Sequence, residues 1–92
     1  MKILEKAIET YGKDMQLNVA IEELSELIKE ICKSKRGADN REAIIEEMAD
    51  CEIMFEQLQI IFDISGEEIG DTIIEKLDRL ERRLAERSEN GT

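Results

Sequence analysis

Ile21-Glu22-Glu23-Leu24-Ser25-Glu26-Leu27-Ile28-Lys29-Glu30-Ile31 is the stretch on which the fold turns. Its apolar residues return every three or four positions, the period of an α-helix, and Glu23 and Glu26 stand three residues apart, which stacks them on one face. Outward from there, Leu17, Ala20, Ile21, Leu24, Leu27, Ile28 and Ile31 form one stripe of a helix from about Met15 to Lys35, with Val19, Glu23, Glu26 and Glu30 beside it. A second helical stretch, Ile44 to Met54, repeats the acidic couplet as Glu47 and Asp50. The polar loop Gly37-Ala38-Asp39-Asn40 lets the two helices fold back, so the couplets face each other.

Like charges one turn apart repel, and two such pairs face to face call for a cation between them. The chain has no histidine, which argues against zinc and against di-iron bundles built on Glu-x-x-His. Four carboxylates, Glu23, Glu26, Glu47 and Asp50, are the oxygen donors that hard ions take, Mg2+ first and Mn2+ as the other candidate, and such ions work with phosphates. One couplet among 23 acidic residues would mean little; two on adjacent helices, the second in an apolar surround, are harder to dismiss, and the pattern alone weighs a metal site evenly against a solvated charge face.

Composition agrees with an all-α protein. Ninety-two residues make one small domain, and the absence of proline, 39% charged and 3% aromatic residues describe a helical core of Leu, Ile, Met and Val. A net charge of −10 disfavours nucleic acid as a partner. Cys32 and Cys51 form no CxxC and are expected as buried thiols of a reducing cytoplasm. MKILEKAIETYG is too charged for a signal peptide, and no apolar run approaches a membrane span, so the expected localisation is cytoplasmic with no membrane partner.

Four helices are predicted in one domain over residues 1–87, followed by a polar tail, 88–92. The first, Lys2 to Thr10, ends at Gly12, with Asp14 capping the next. Asp39 and Glu42 form a capping box for the third, which runs to about Phe62, and Ser65 and Glu68 form another for the fourth, ending near Arg87. The third helix carries apolar residues nearly all round: Ile44, Met48, Cys51, Phe55, Leu58 and Phe62 on one side, Ala49, Ile53 and Ile60 on another, Ala43, Met54 and Ile61 beside Glu47 and Asp50. A helix of that kind is buried all round, which calls for a second subunit: a homodimer, or a dimer of dimers, with a helical bundle between subunits. Glu47 and Asp50 are then partly buried, and Glu52 falls in an apolar stripe with an intersubunit or supporting role.

On the last helix Lys76, Arg79 and Arg83 share one face beside Ile69, Ile73, Leu77, Leu80 and Leu84, and that face suits phosphate. Glu75–Arg79, Asp78–Arg82 and Arg82–Glu86 have the spacing of ordinary surface pairs, which is the reading preferred for Arg82. Lys29, one turn past Glu26, is a further phosphate candidate.

These runs, Ile21 to Lys29, Ile45 to Met54 and Lys76 to Arg83, together resemble the MazG-like nucleoside triphosphate pyrophosphohydrolases, whose pattern is EExxE, a spacer, then ExxD. The likeness covers about Tyr11 to Arg83, and the short single-domain form is similar to phage and prophage versions. It implies Glu23, Glu26, Glu47 and Asp50 as magnesium ligands, Lys29, Lys76, Arg79 and Arg83 as phosphate contacts, and hydrolysis of a (deoxy)nucleoside triphosphate between its α and β phosphates. With no histidine the general base is a carboxylate, Glu22, Glu23 or Glu26. Gln16 and Asn18, one to two turns before the acids, are candidates for reading the base. Two other classes compete: a dUTPase of the same superfamily, marked by uracil specificity, and a non-catalytic helical interaction module, which would tolerate loss of the acids.

Overall fold

The computed structural model describes residues 2–89; Asn90, Gly91 and Thr92 of the expected tail lie outside the described residues, and Ser88 and Glu89 belong to the last helix. Among the described residues there are four helices and no strand: α1 (Lys2–Tyr11), α2 (Lys13–Lys35), α3 (Arg41–Phe62) and α4 (Gly66–Glu89). Gly12, at φ +89°, breaks α1 from α2 while its amide still donates to Ile8 O at 2.8 Å. Asp14 does not cap α2; it sits in the first turn, and Gly12 takes the cap position with no side-chain bond.

α2 ends where Gly37 turns left-handed at φ +94°: the Ala38 amide donates to Lys33 O at 3.1 Å and the Gly37 amide to Ser34 O at 2.9 Å, which satisfies the carbonyls left open by the last turn. The expected Asp39–Glu42 box does not form. Asn40 holds the cap position of α3 without a side-chain cap bond, and its Nδ2 donates across the turn to Glu30 instead. The second box does form: Ser65 N donates to Glu68 Oε2 at 2.8 Å and Glu68 N to Ser65 Oγ at 3.1 Å.

α2 and α3 make an antiparallel hairpin and α1 packs against both, burying Leu4 and Ile8. The seam of the hairpin is not the apolar stripe expected from the sequence. Its α2 side is Gln16, Ala20, Glu23, Leu27 and Glu30, all buried or half-buried, and its α3 side includes Glu47, Cys51, Met54 and Leu58. The row one residue further along stays open: Ile21 is 62%, Ile28 62%, Met48 52% and Phe55 49% exposed, and Ile31, Ile45 and Phe62 are exposed with them. On antiparallel helices, rows that both lie one residue past the seam fall on the same side of the layer. The hairpin is therefore two-faced. Its apolar face carries Ile21, Ile28, Ile45, Met48 and Phe55; its other face carries Glu22, Glu26 and Lys29 opposite Glu46 and Asp50.

α4 stands apart. It forms no packed interface with α1, α2 or α3, and Ile69, Ile73, Leu77, Leu80 and Leu84 are all exposed. The radius of gyration is 17.4 Å, against about 12 Å for a compact chain of this length. Among the described residues no helix is long and apolar enough to cross a membrane.

Candidate metal centre

The seam brings three of the four expected ligands together. Glu23 from α2 and Glu47 and Asp50 from α3 each offer a carboxylate oxygen, and these oxygens all lie within 4.8 Å of one another. Glu23 and Glu47 are half-buried; Asp50, expected partly buried, is exposed because it lies on the polar face, one residue off the seam. Glu26 is also exposed on that face and lies outside the 4.8 Å group, near enough for its charge to act on Glu23 and Glu47.

Electrostatics show the strain of this arrangement. Burial pushes the Glu23 carboxyl above the ordinary carboxylate value of 4.5, helped by a hydrogen bond shared with Asp50 and by the charges of Asp50, Glu47 and Glu26. Burial also raises Glu47, with repulsion from Asp50, Glu26, Glu30 and Glu46 behind it. Glu47 Oε2 is buried and has no hydrogen-bond partner, a costly position for a carboxylate oxygen that nothing else offsets. An oxygen-only donor set of this kind, with one buried oxygen unsatisfied, is of the type that could hold a hard divalent ion.

Glu30, one heptad beyond Glu23, is different. The Asn40 amide donates to its Oε1 at 2.9 Å and Lys33 pairs with Oε2 at 3.2 Å; these two contacts hold its carboxyl below the ordinary value. Cys51 supports the layer from below: its thiol donates to Glu23 O at 3.5 Å, and burial pushes that thiol up. Cys32, expected buried, is exposed.

The remaining candidates fall in three places. Glu22 and Lys29 are exposed on the polar face beside Glu26. Gln16 is buried and donates from Nε2 to Gln57 Oε1 at 2.7 Å, so its amide is engaged inside the seam, while Asn18 is exposed. Lys76, Arg79 and Arg83 are exposed on α4, and a single chain does not bring them to the carboxylates. Of the expected surface pairs, Asp78–Arg82 forms at 3.7 Å. Glu52 stands with Glu56 at the rim of a groove between α1 and α3, floored by Leu4, Ala7 and Ile53.

Sequence reasoning missed Gln57, Asn40 and the part played by Glu30. The signal was spacing: Gln16, Glu23 and Glu30 recur every seven residues, as do Asp50 and Gln57. In comparisons with known proteins, no family model, curated protein or solved structure matches this chain.

Proposed function

We propose that the chain is a metal-dependent nucleoside triphosphate pyrophosphohydrolase that converts a (deoxy)nucleoside triphosphate to its monophosphate and pyrophosphate. The observation that carries this reading is the trio Glu23, Glu47 and Asp50, with its carboxylate oxygens within 4.8 Å and Glu47 Oε2 buried without a partner. The likeness of its EExxE and ExxD runs to the MazG-like enzymes supplies the substrate class. Mg2+ or Mn2+ is the cofactor, held by Glu23, Glu47 and Asp50, with Glu26 at the edge of the group. When bound, such an ion supplies the positive charge that offsets a triphosphate and polarises its phosphorus–oxygen bonds.

The chain's own groups do the rest. Water attacks the α phosphorus, the bond from that phosphorus to the α–β bridging oxygen breaks, and the bridging oxygen leaves with pyrophosphate. Glu22 or Glu26, exposed on the polar face, takes the proton of the attacking water. Lys29 lies on the same face, within a turn of Glu26, and meets phosphate there. The functional unit is a homodimer, or a dimer of dimers, in which the apolar face of one hairpin packs on that of a second copy as a helical bundle; the docking of α4 in that assembly delivers Lys76, Arg79 and Arg83 to the leaving pyrophosphate.

A panel of ribo- and deoxyribonucleoside triphosphates with Mg2+ or Mn2+, scored for monophosphate and pyrophosphate, tests this. Release of orthophosphate with a diphosphate product, or full activity in EDTA, overturns it. Turnover of dUTP alone selects the dUTPase. No turnover of any triphosphate, with assembly unaffected by Glu47→Gln, selects the non-catalytic interaction module.

A further inference from the structure

The α2–α3 seam contains three polar layers one heptad apart. Gln16 pairs with Gln57 at one end, with both side chains buried. Seven residues on from Gln16 and seven back from Gln57 come Glu23 and Asp50, joined in the same layer by Glu47. Seven residues past Glu23 and seven before Glu47 come Glu30 and Asn40, whose amide donates to both Glu30 O and Glu30 Oε1 at 2.9 Å. The outer layers are hydrogen-bonded through amides; the middle layer sets carboxyl against carboxyl, with a hydrogen bond shared between Glu23 and Asp50. Between them lie Ala20, Leu27, Cys51 and Met54, small or flexible side chains that pack acceptably in more than one register.

We propose that the Gln16–Gln57 and Glu30–Asn40 pairs are register locks, positioning residues that hold Glu23 opposite Glu47 and Asp50. A slip of one turn moves α2 along α3 by about 5.4 Å, more than the 4.8 Å that spans the carboxylate group. In the slipped state Gln16 and Gln57 are buried without partners, so the locks penalise the wrong register more than they stabilise the right one. Buried polar groups in helical seams are known to specify register in this way at some expense of stability. The carboxylates are poor locks themselves, because apart from the hydrogen bond between Glu23 and Asp50 their charges repel.

The test uses the full chain with Cys32→Ser and spin labels at Asp14→Cys and Glu56→Cys, diluted with unlabelled chain and free of metal. The parent is expected to give one narrow distance. The double variant Gln16→Leu/Gln57→Leu is expected to keep or raise the melting temperature, yet to give a distribution broadened or displaced by about 5 Å, and to bind Mn2+ at least tenfold more weakly by EPR. Asn40→Ala, which opens the other layer, is the second probe, should the double variant not fold; it is expected to lower the melting temperature but to change the distance distribution and the Mn2+ affinity in the same direction as the double variant. A narrow distance unchanged from the parent in the variants that fold overturns the proposal. The Mn2+ readout rests on the metal-site reading above, but the distance readout does not: a parent that binds no Mn2+ sinks that reading and leaves the register question decided by distance.

Discussion

Asn40, the first residue before α3, ties the turn back to Glu30 in the last third of α2: one amide donates to the main-chain oxygen and to Oε1 of Glu30, both at 2.9 Å. The bond joins two helices across a left-handed glycine turn and takes the place of a local cap. Asn40→Ala is expected to lower the melting temperature by roughly 5 °C. Asn40→Asp, nearly the same shape, is expected to lower it further at neutral pH, because it sets a carboxylate against Glu30. Thermal melts of the two variants check this; equal melting temperatures for Asn40→Asp and the parent refute it.

Glu47→Gln and Asp50→Asn separate function from stability. Each is expected to reduce hydrolysis to background, since each removes an oxygen of the proposed ligand set. In EDTA Glu47→Gln is expected to melt at or above the parent, because Glu47 Oε2 is buried without a partner and repelled by Asp50, Glu26, Glu30 and Glu46. Asp50→Asn, on an exposed position, is expected to shift the melt less. If either variant retains near-parental turnover, or Glu47→Gln melts well below the parent without metal, these residues are not the ligands.

The pH dependence follows from the same groups with a definite sign. Glu23 and Glu47 have native values raised above 4.5, so their protonated forms favour the folded state; that contribution is full below 4.5 and lost as pH rises through the raised values. Glu30 and Glu68 have lowered values, so their contribution is present above 4.5 and lost as pH falls through those values. In EDTA the melting temperature is therefore expected to fall between mildly acidic and neutral buffer, and saturating Mg2+ or Mn2+ to cancel that fall, because the ion takes the place of the protons. A metal-free melt that is flat across this range, with metal making no difference, counts against the acidic cluster as a binding site.

Assembly through the apolar face is testable by sedimentation. Ile21→Lys/Ile28→Lys places two charges on a face where both residues are 62% exposed in the single chain. A folded monomer tolerates the change; a dimer closed by this face is expected to weaken at least about 100-fold, or ~2.7 kcal/mol. A parent that sediments as a folded monomer at micromolar concentration removes the basis for the dimer.

Much of this was legible in the sequence. The four helices, the Ser65–Glu68 box and the two acidic couplets all follow from local spacing, and local spacing is what the structure kept. Periodicity also found the apolar row through Ile21, Ile28 and Ile31, but periodicity says only that a row is apolar, not which surface covers it. In the chain the seam lies one residue back, through Gln16, Glu23 and Glu30, and that rotation of about 100° is what exposed the isoleucines and moved Glu26 out of the carboxylate group. Asn40 was missed for a related reason. Its choice of Glu30 over a local cap depends on two helices already being side by side, which no window of neighbouring residues records.

The isolation of α4 ties its order, in the proposed assembly, to how much protein is present. A 24-residue helix with no buried residue among those described is held by its own hydrogen bonds, the Ser65–Glu68 cap and local pairs such as Asp78–Arg82, whereas most helical stability in proteins comes from packing of an apolar face. If α4 packs only in the proposed assembly, dilution is expected to melt Gly66–Glu89 first, exposing it to proteases while the α2–α3 hairpin persists. Cations that the proposed reaction needs ride on that segment, so expression level itself would become a control on turnover, through the abundance of chains rather than through any effector.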